Sequence, residues 1–249
     1  MDQLFEVIDR AEGSNVRIEV LQYRSLEHSG FFYEQRSGVR LKQVRITLNE
    51  GKIITEAGAL HFLKGHITAE NKIGKGFMQR MASSMLTDES FARPEYSGTG
   101  EVYLEPSFQH FLILEIDNDE VIVDKGLFYC CEPSIEVGVY RQKNISAALK
   151  GGEGWFQTKL SGTGLAVLKT PVPAEEILQL ELNNERLQVD GNFALLRTGD
   201  IEFTVEKSAK TILGSMTSGD GLLQTFTGTG QVWLAPTEFL YKNTSPINE

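Results

Sequence analysis

One phrase constrains this chain more than any other, because it is written three times. "YSGTGEVYLEP" begins at Tyr96, "LSGTGLAVLKTP" at Leu160 and "FTGTGQVWLAP" at Phe226, so Gly98, Gly162 and Gly228 lie 64 and 66 residues apart. A fixed period of that kind marks a chain built by placing one unit beside its copies. Two further segments recur in the same order. Upstream of the triplets lie "LNEGKIITEAG" from Leu48, "IDNDEVIVDKG" from Ile116 and "LNNERLQVDGN" from Leu182. Before these come "VRITL" from Val44, "FLILEI" from Phe111 and "ILQLEL" from Ile177. Each unit reads as a strand, an Asn/Asp-rich turn, and a second strand closing on an acidic residue (Glu56, Asp124, Asp190). A glycine turn (Gly58, Gly126, Gly191), more strand, a variable middle and the Gly-Thr-Gly strand follow. Asn, Asp and Gly tolerate positive φ, which suits hairpin turns.

Alternation in the triplet strands puts Val102 with Leu104, Ala166 with Leu168 and Val232 with Leu234 on one face. Pro106, Pro171 and Pro236 then end the ladders, since proline has no N–H to donate. The expected division is 44–108, 109–173 and 174–240 for the three units, with extra strands in 1–43 and a loose tail over 241–249, all in one compact domain. The first variable middle predicts a short helix, because Phe77, Met81 and Met85 recur every four residues, with Met78 beside them. Glycines two apart on a strand leave one face bare, and glycine in a strand signals close approach of another backbone or a ligand. Gly98, Gly100, Gly162, Gly164, Gly228 and Gly230 are therefore expected to line a pseudo-threefold axis where the three copies meet.

With these motifs in place, the chain resembles the altered-inheritance-of-mitochondria protein twenty-four family. The Gly-x-Gly strand with its proline, the acidic-x-Gly turns and "GALHFLKGHI" from Gly58 carry the resemblance, from about Val44 to Pro236. It implies an all-β fold of three tandem short double-stranded β-helix-like repeats, arranged as a pseudo-threefold, prism-like barrel. The unit is similar to the subunit of the tryptophan RNA-binding attenuation protein. It brings no catalytic motif, and the mitochondrial role of fungal relatives does not carry over to a chain whose first residues are too acidic for a presequence.

Chemistry-bearing patterns are sparse. The net charge of −10 repels phosphate backbones, so nucleic acid is not an expected partner. The triplets lack the third glycine and following helix of a dinucleotide loop, and no Lys-Ser/Thr follows them as in a P-loop. His28, His61, His66 and His110 show no metal-ligand spacing. Cys130 and Cys131 are the only cysteines; they read as buried thiols in a reducing, cytoplasmic setting. No window is long and apolar enough for a membrane span.

Glu89, Glu153 and Asp220 precede their triplets at matching distances; they read as turn caps, with a shared cation site as the sharper alternative. The Phe77, Met78, Met81, Met85 face is core or an adaptable contact for a protein or membrane surface. No cofactor is expected. The functional expectation is a non-enzymatic, pseudo-trimeric scaffold or interaction protein with a protein partner or a second copy. The alternatives are a small-ligand or cation site between repeats and, by fold analogy, RNA binding.

Overall fold

A computed structural model describes residues 4–24, 39–72, 93–141, 156–207 and 222–242. Among these residues the protein is all-β, apart from a 3-10 turn at Ala174–Glu176 and the five-residue helix α1 (Glu238–Lys242). The strands are β1 (Phe5–Glu12), β2 (Val16–Tyr23), β3 (Lys42–Thr55), β4 (Leu60–Lys72), β5 (Arg93–Leu104) and β6 (His110–Val123). They continue with β7 (Phe128–Cys131), β8 (Ile135–Arg141), β9 (Phe156–Thr170), β10 (Leu178–Asp190), β11 (Ala194–Lys207) and β12 (Leu222–Leu234).

Contacts group the chain into two compact units, and β6 and β9 run from one into the other. The first comprises Met1–Glu115, Phe128–Ile135 and Gly164–Thr170. Its antiparallel ladder runs β1-β2-β3-β5-β4, with β7 pairing the last two residues of β3 and also β9. Alternate residues of β2, β3 and β5 point inward, which is why Ile18, Val20, Val44, Ile46, Ile53, Val102 and Leu104 are 0–1% exposed and form one cluster with Tyr129 and Cys130. Of the extra strands expected in 1–43, in "NVRIEVLQY" and "GFFYEQR", the first is β2 and the second lies outside the described residues; β1 was not foreseen.

The second unit comprises Ile116–Leu127, Glu136–Thr163 and Pro171–Glu249. Here β6, β11, β12 and β10 are neighbours in that order. Its core joins Leu182, Val189, Ile201, Phe203, Val205, Phe226, Val232 and Leu234. Helix α1 is tied down by Tyr241, whose hydroxyl donates to Glu176 at 2.5 Å, and by Thr237 on the other carboxylate oxygen. The tail expected to be loose from 241 thus begins with a helical, hydrogen-bonded residue.

The Asn/Asp-rich segments are not hairpin turns. β3, β6 and β10 each run straight through them, 13 or 14 residues long. Positive φ is present, at Glu50 (51°), Asn118 (48°) and Asn184 (55°), but it serves a bulge within a continuing strand. The register slips between Leu48 and Gly51 on β3 and between Asn183 and Glu185 on β10. At each of the three residues the N–H turns to the threonine of the facing triplet: Glu50 to Thr99, Asn118 to Thr163 and Asn184 to Thr229, at 2.9–3.0 Å. A bulge leaves one residue unpaired in the ladder, and the threonine hydroxyl accepts the N–H thereby freed.

The glycines of the triplets are confined by the next strand. A Cβ on Gly98 would lie 2.0 Å from the His66 carbonyl oxygen and one on Gly100 2.2 Å from that of Lys64, both on β4. On Gly228 and Gly230 it would meet the carbonyls of Asp200 and Thr198 on β11. Gly164 faces side chains instead, Ser134 Oγ and Glu132. All of these, and Gly162, have positive φ between 132° and 154°. The close approach inferred from these glycines is real, and its nearest partner is the adjacent strand, not a distant copy. The predicted helix of the first variable middle, with Phe77, Met78, Met81 and Met85, lies outside the described residues, as do the other two middles.

Candidate functional site

The second strand of the middle segment differs from its counterparts. "LHFLKGHITA" and "ALLRTGDIEFTV" each form one strand, β4 and β11, whereas "LFYCCEPSIEVGVYR" is split into β7 and β8 by a turn at Glu132–Ser134. Pro133 has no N–H to continue the ladder. Just before it, the Glu132 N–H donates to the Leu165 carbonyl at 2.9 Å, and the Glu132 carboxylate accepts the Leu165 N–H at 2.8 Å.

Strand ends meet in a recurrent joint. In the first unit β3 ends against β7: Ile54 faces Cys131, Thr55 faces Cys130, and the Glu56 N–H donates to the Tyr129 carbonyl at 2.8 Å. In the second unit β6 ends against β11: Ile122 faces Arg197, Val123 faces Leu196, and the Asp124 N–H donates to the Leu195 carbonyl at 2.8 Å. The receiving strand carries a register slip just before the joint, at Phe128/Cys130 on β7 and Ala194/Leu196 on β11.

β4 has the same slip, at Leu60/Phe62. Gly65 faces Gly100 as Gly199 faces Gly230, so counting back from those glycines puts Phe62 and Leu63 where Leu196 and Arg197 stand. Yet β4 pairs only with β5, and β10 only with β12, among the described residues. The consequence is visible in exposure. Cys130 and Cys131 are 0% exposed and Leu196 and Arg197 are 4%, whereas Phe62 is 42% and Leu63 36% exposed. Phe62 is stacked on Tyr103 with ring centroids 4.2 Å apart and meets the His61 ring edge-on at 5.3 Å.

Polar side chains are buried near both joints. Arg197 Nη1 donates to Gln157 Oε1 at 2.7 Å, and its guanidinium lies 4.9 Å over Tyr140 and 5.2 Å over Phe203. Its Nη2 has no hydrogen-bond partner among the described residues. Arg197 borders a small recess that it shares with Asp124, Gln157, Gln224 and Phe226. Burial lowers the Arg197 pKa and raises that of Asp124, the latter opposed by the Lys125 N–H and Gln157.

In the first unit, Gln43 is 1% exposed and fully engaged. It accepts from the Tyr23 hydroxyl at 2.6 Å, and its Nε2 donates to the Leu104 carbonyl at 2.7 Å and to His61 Nδ1 at 3.0 Å. His61 is thereby cast as an acceptor at Nδ1. Cys130 and Cys131 are buried as expected. Burial pushes the Cys131 thiol up to about 12 and Cys130 well above its ordinary value, so both stay protonated.

Of the residues singled out in the sequence, Glu89, Glu153 and Asp220 lie outside the described residues. No group of three or more His, Cys, Asp or Glu side chains with metal-holding geometry occurs among the described residues. No helix among them is long and apolar enough to cross a membrane. Phe62, Leu63, Arg197 and Gln157 were not anticipated. The signal available was the aligned position of "HFLK" and "LLRT" one residue run after the acidic-Gly turn.

Fold and joint together define an all-β protein of long strands pinned by glycine-threonine-glycine crossings and coupled end to end. A family model described as mitochondrial biogenesis AIM24 matches residues 33–237, and the chain belongs to that family. No curated protein matches the sequence. Among solved structures, the chain is similar to the crystal structure of a protein from Streptococcus pyogenes, with TM-score 0.58 and 16% identity, over 88% of this chain and 93% of that one. A likeness at that identity concerns the fold.

Proposed function

We propose that this protein is a non-enzymatic scaffold that binds protein partners through an open sheet edge. Three like sheets, each centred on a Gly-Thr-Gly strand, would be disposed with pseudo-threefold symmetry. The recurrence of the threonine-bonded bulge and of the strand-end joint supports that arrangement. The observation that carries the reading is the pair Phe62 and Leu63, apolar and exposed on the unpaired edge of β4. Such an edge offers backbone donors and acceptors together with apolar side chains, which is the chemistry of strand addition.

A photo-crosslinking residue at Leu63, compared with one at the exposed Val139, tests this in extracts of the native cell. A discrete protein adduct from position 63 alone is expected. Equal labelling from both positions, or none, removes the reading.

A further inference from the structure

Each of the two strand-end joints brings a carboxylate and a cation together, but from different positions. In the first unit Glu56 meets Arg93 at 3.5 Å. In the second, Asp124 holds the place of Glu56, each six residues beyond its bulge residue, Asn118 and Glu50. Gln157 holds the place of Arg93, five residues before the first triplet glycine. The cation comes instead from the receiving strand, where Arg197 faces Ile122 as Cys131 faces Ile54. We infer that this exchange creates, within the second unit, a binding site for one water that joins Arg197 Nη2 to the Asp124 carboxylate.

The surrounding side chains fix the roles. A guanidinium only donates, so the Gln157 oxygen faces Arg197 Nη1, at 2.7 Å. The Gln157 amide nitrogen is left to donate to Asp124, whose charged form it favours. One amide thus stands between the two charges. Tyr140 on β8 supports the guanidinium with its ring, 4.9 Å away, and with a side-chain hydrogen bond. After these contacts Nη2 still has no partner among the described residues, although Arg197 is 4% exposed. Asp124 acts on Arg197 as a charge and not through a hydrogen bond.

The recess bordered by Asp124, Gln157, Gln224 and Arg197 offers about 10 Å³ to the centre of a water molecule, the least that holds one. A carboxylate or phosphate group is too large for it, and the Asp124 charge repels a halide. A single water accepts from Nη2, donates one hydrogen to the Asp124 carboxylate and gives the other to the Gln224 side-chain oxygen. Gln224 Nε2 is already engaged by Asn192 Oδ1 at 2.7 Å. Three such bonds are the usual complement of a buried water. A buried guanidinium nitrogen without a partner is costly, and this water removes the cost. The first unit has no such need, because Arg93 touches Glu56 itself.

High-resolution crystals of the full chain test this directly. A water peak is expected at hydrogen-bond distance, about 2.7–3.2 Å, from both Arg197 Nη2 and an Asp124 carboxylate oxygen. Nη2 bonded to a protein atom, with no water beside it, overturns the inference. So does an anomalous bromide signal in the recess after a bromide soak, which would mark an anion site.

A solution measurement needs no crystal. Magnetic relaxation dispersion of water oxygen counts long-lived internal waters in the purified protein. Gln157→Arg combined with Arg197→Cys rebuilds the first unit's arrangement in the second, with the cation on the triplet strand and in contact with the carboxylate. This variant should hold one long-lived water fewer than the wild type, with unchanged far-UV circular dichroism. If it does not fold, Arg197→Met, which removes Nη2 and keeps an apolar stem, should show the same loss. An equal count in the wild type and a folded variant overturns the inference.

Discussion

At Gly98 the backbone sits at φ +137°, and a methyl group would be driven to within 2.0 Å of the His66 carbonyl oxygen. Gly58 also has positive φ, +76°, but nothing lies within 4 Å of a Cβ there. Gly98→Ala should therefore cost about 3 kcal/mol or more, from strain and collision together, whereas Gly58→Ala should cost about 1 kcal/mol from conformation alone. Urea unfolding of the two variants checks the contrast.

Lys42 supplies a pH effect at the same scale. It is 5% exposed, its Nζ donates to the Arg40 carbonyl at 3.1 Å, and burial lowers its pKa from 10.5 to about 8. The unfolded chain thus binds the extra proton between those values, so stability rises with pH from about 8 to 10.5. Lys42→Met should abolish that slope and stabilise the protein near neutral pH by about 1–3 kcal/mol. Urea midpoints across the alkaline range give the measurement. The need for glycine at the triplets was legible in the sequence. The burial of Lys42, Arg197 and Gln43 was not, because no local pattern marks a polar residue that tertiary packing will cover.

At the scale of elements, the bulge explains both what sequence conveyed and what it concealed. "LNEG", "IDND" and "LNNE" signal positive φ, and a hairpin turn and a bulge use the same signal. Only pairing with the triplet strand, where a threonine hydroxyl receives the freed N–H, tells the two apart. The same logic marks Glu50 as the poorest fit of the three, since Asn tolerates the left-handed region better than Glu. Glu50→Asn should stabilise the protein by about 0.5–1 kcal/mol without changing the denaturant slope. β1 escaped notice because its burial pattern hardly alternates: Val7 and Ile8 are adjacent and both exposed. The split of β7 from β8 was visible only as Pro133 in the midst of apolar residues.

At the scale of the molecule, the all-β class was readable from apolar alternation punctuated by Gly, Asn and Pro, and the family from short motifs in fixed order. The coupling between segments was not readable. A joint of two or three facing residues depends on which strand ends come together, and the exposed Phe62 and Leu63 look in sequence like any buried strand. The central claim is that one threonine hydroxyl locks each Gly-Thr-Gly strand to the bulge that faces it. Amide hydrogen exchange at Glu50, Asn118 and Asn184 tests it most directly. All three should be protected in the wild type, and Thr163→Val should release Asn118 alone. Free exchange of all three in the wild type, or an Asn118 amide still protected in Thr163→Val, would contradict it.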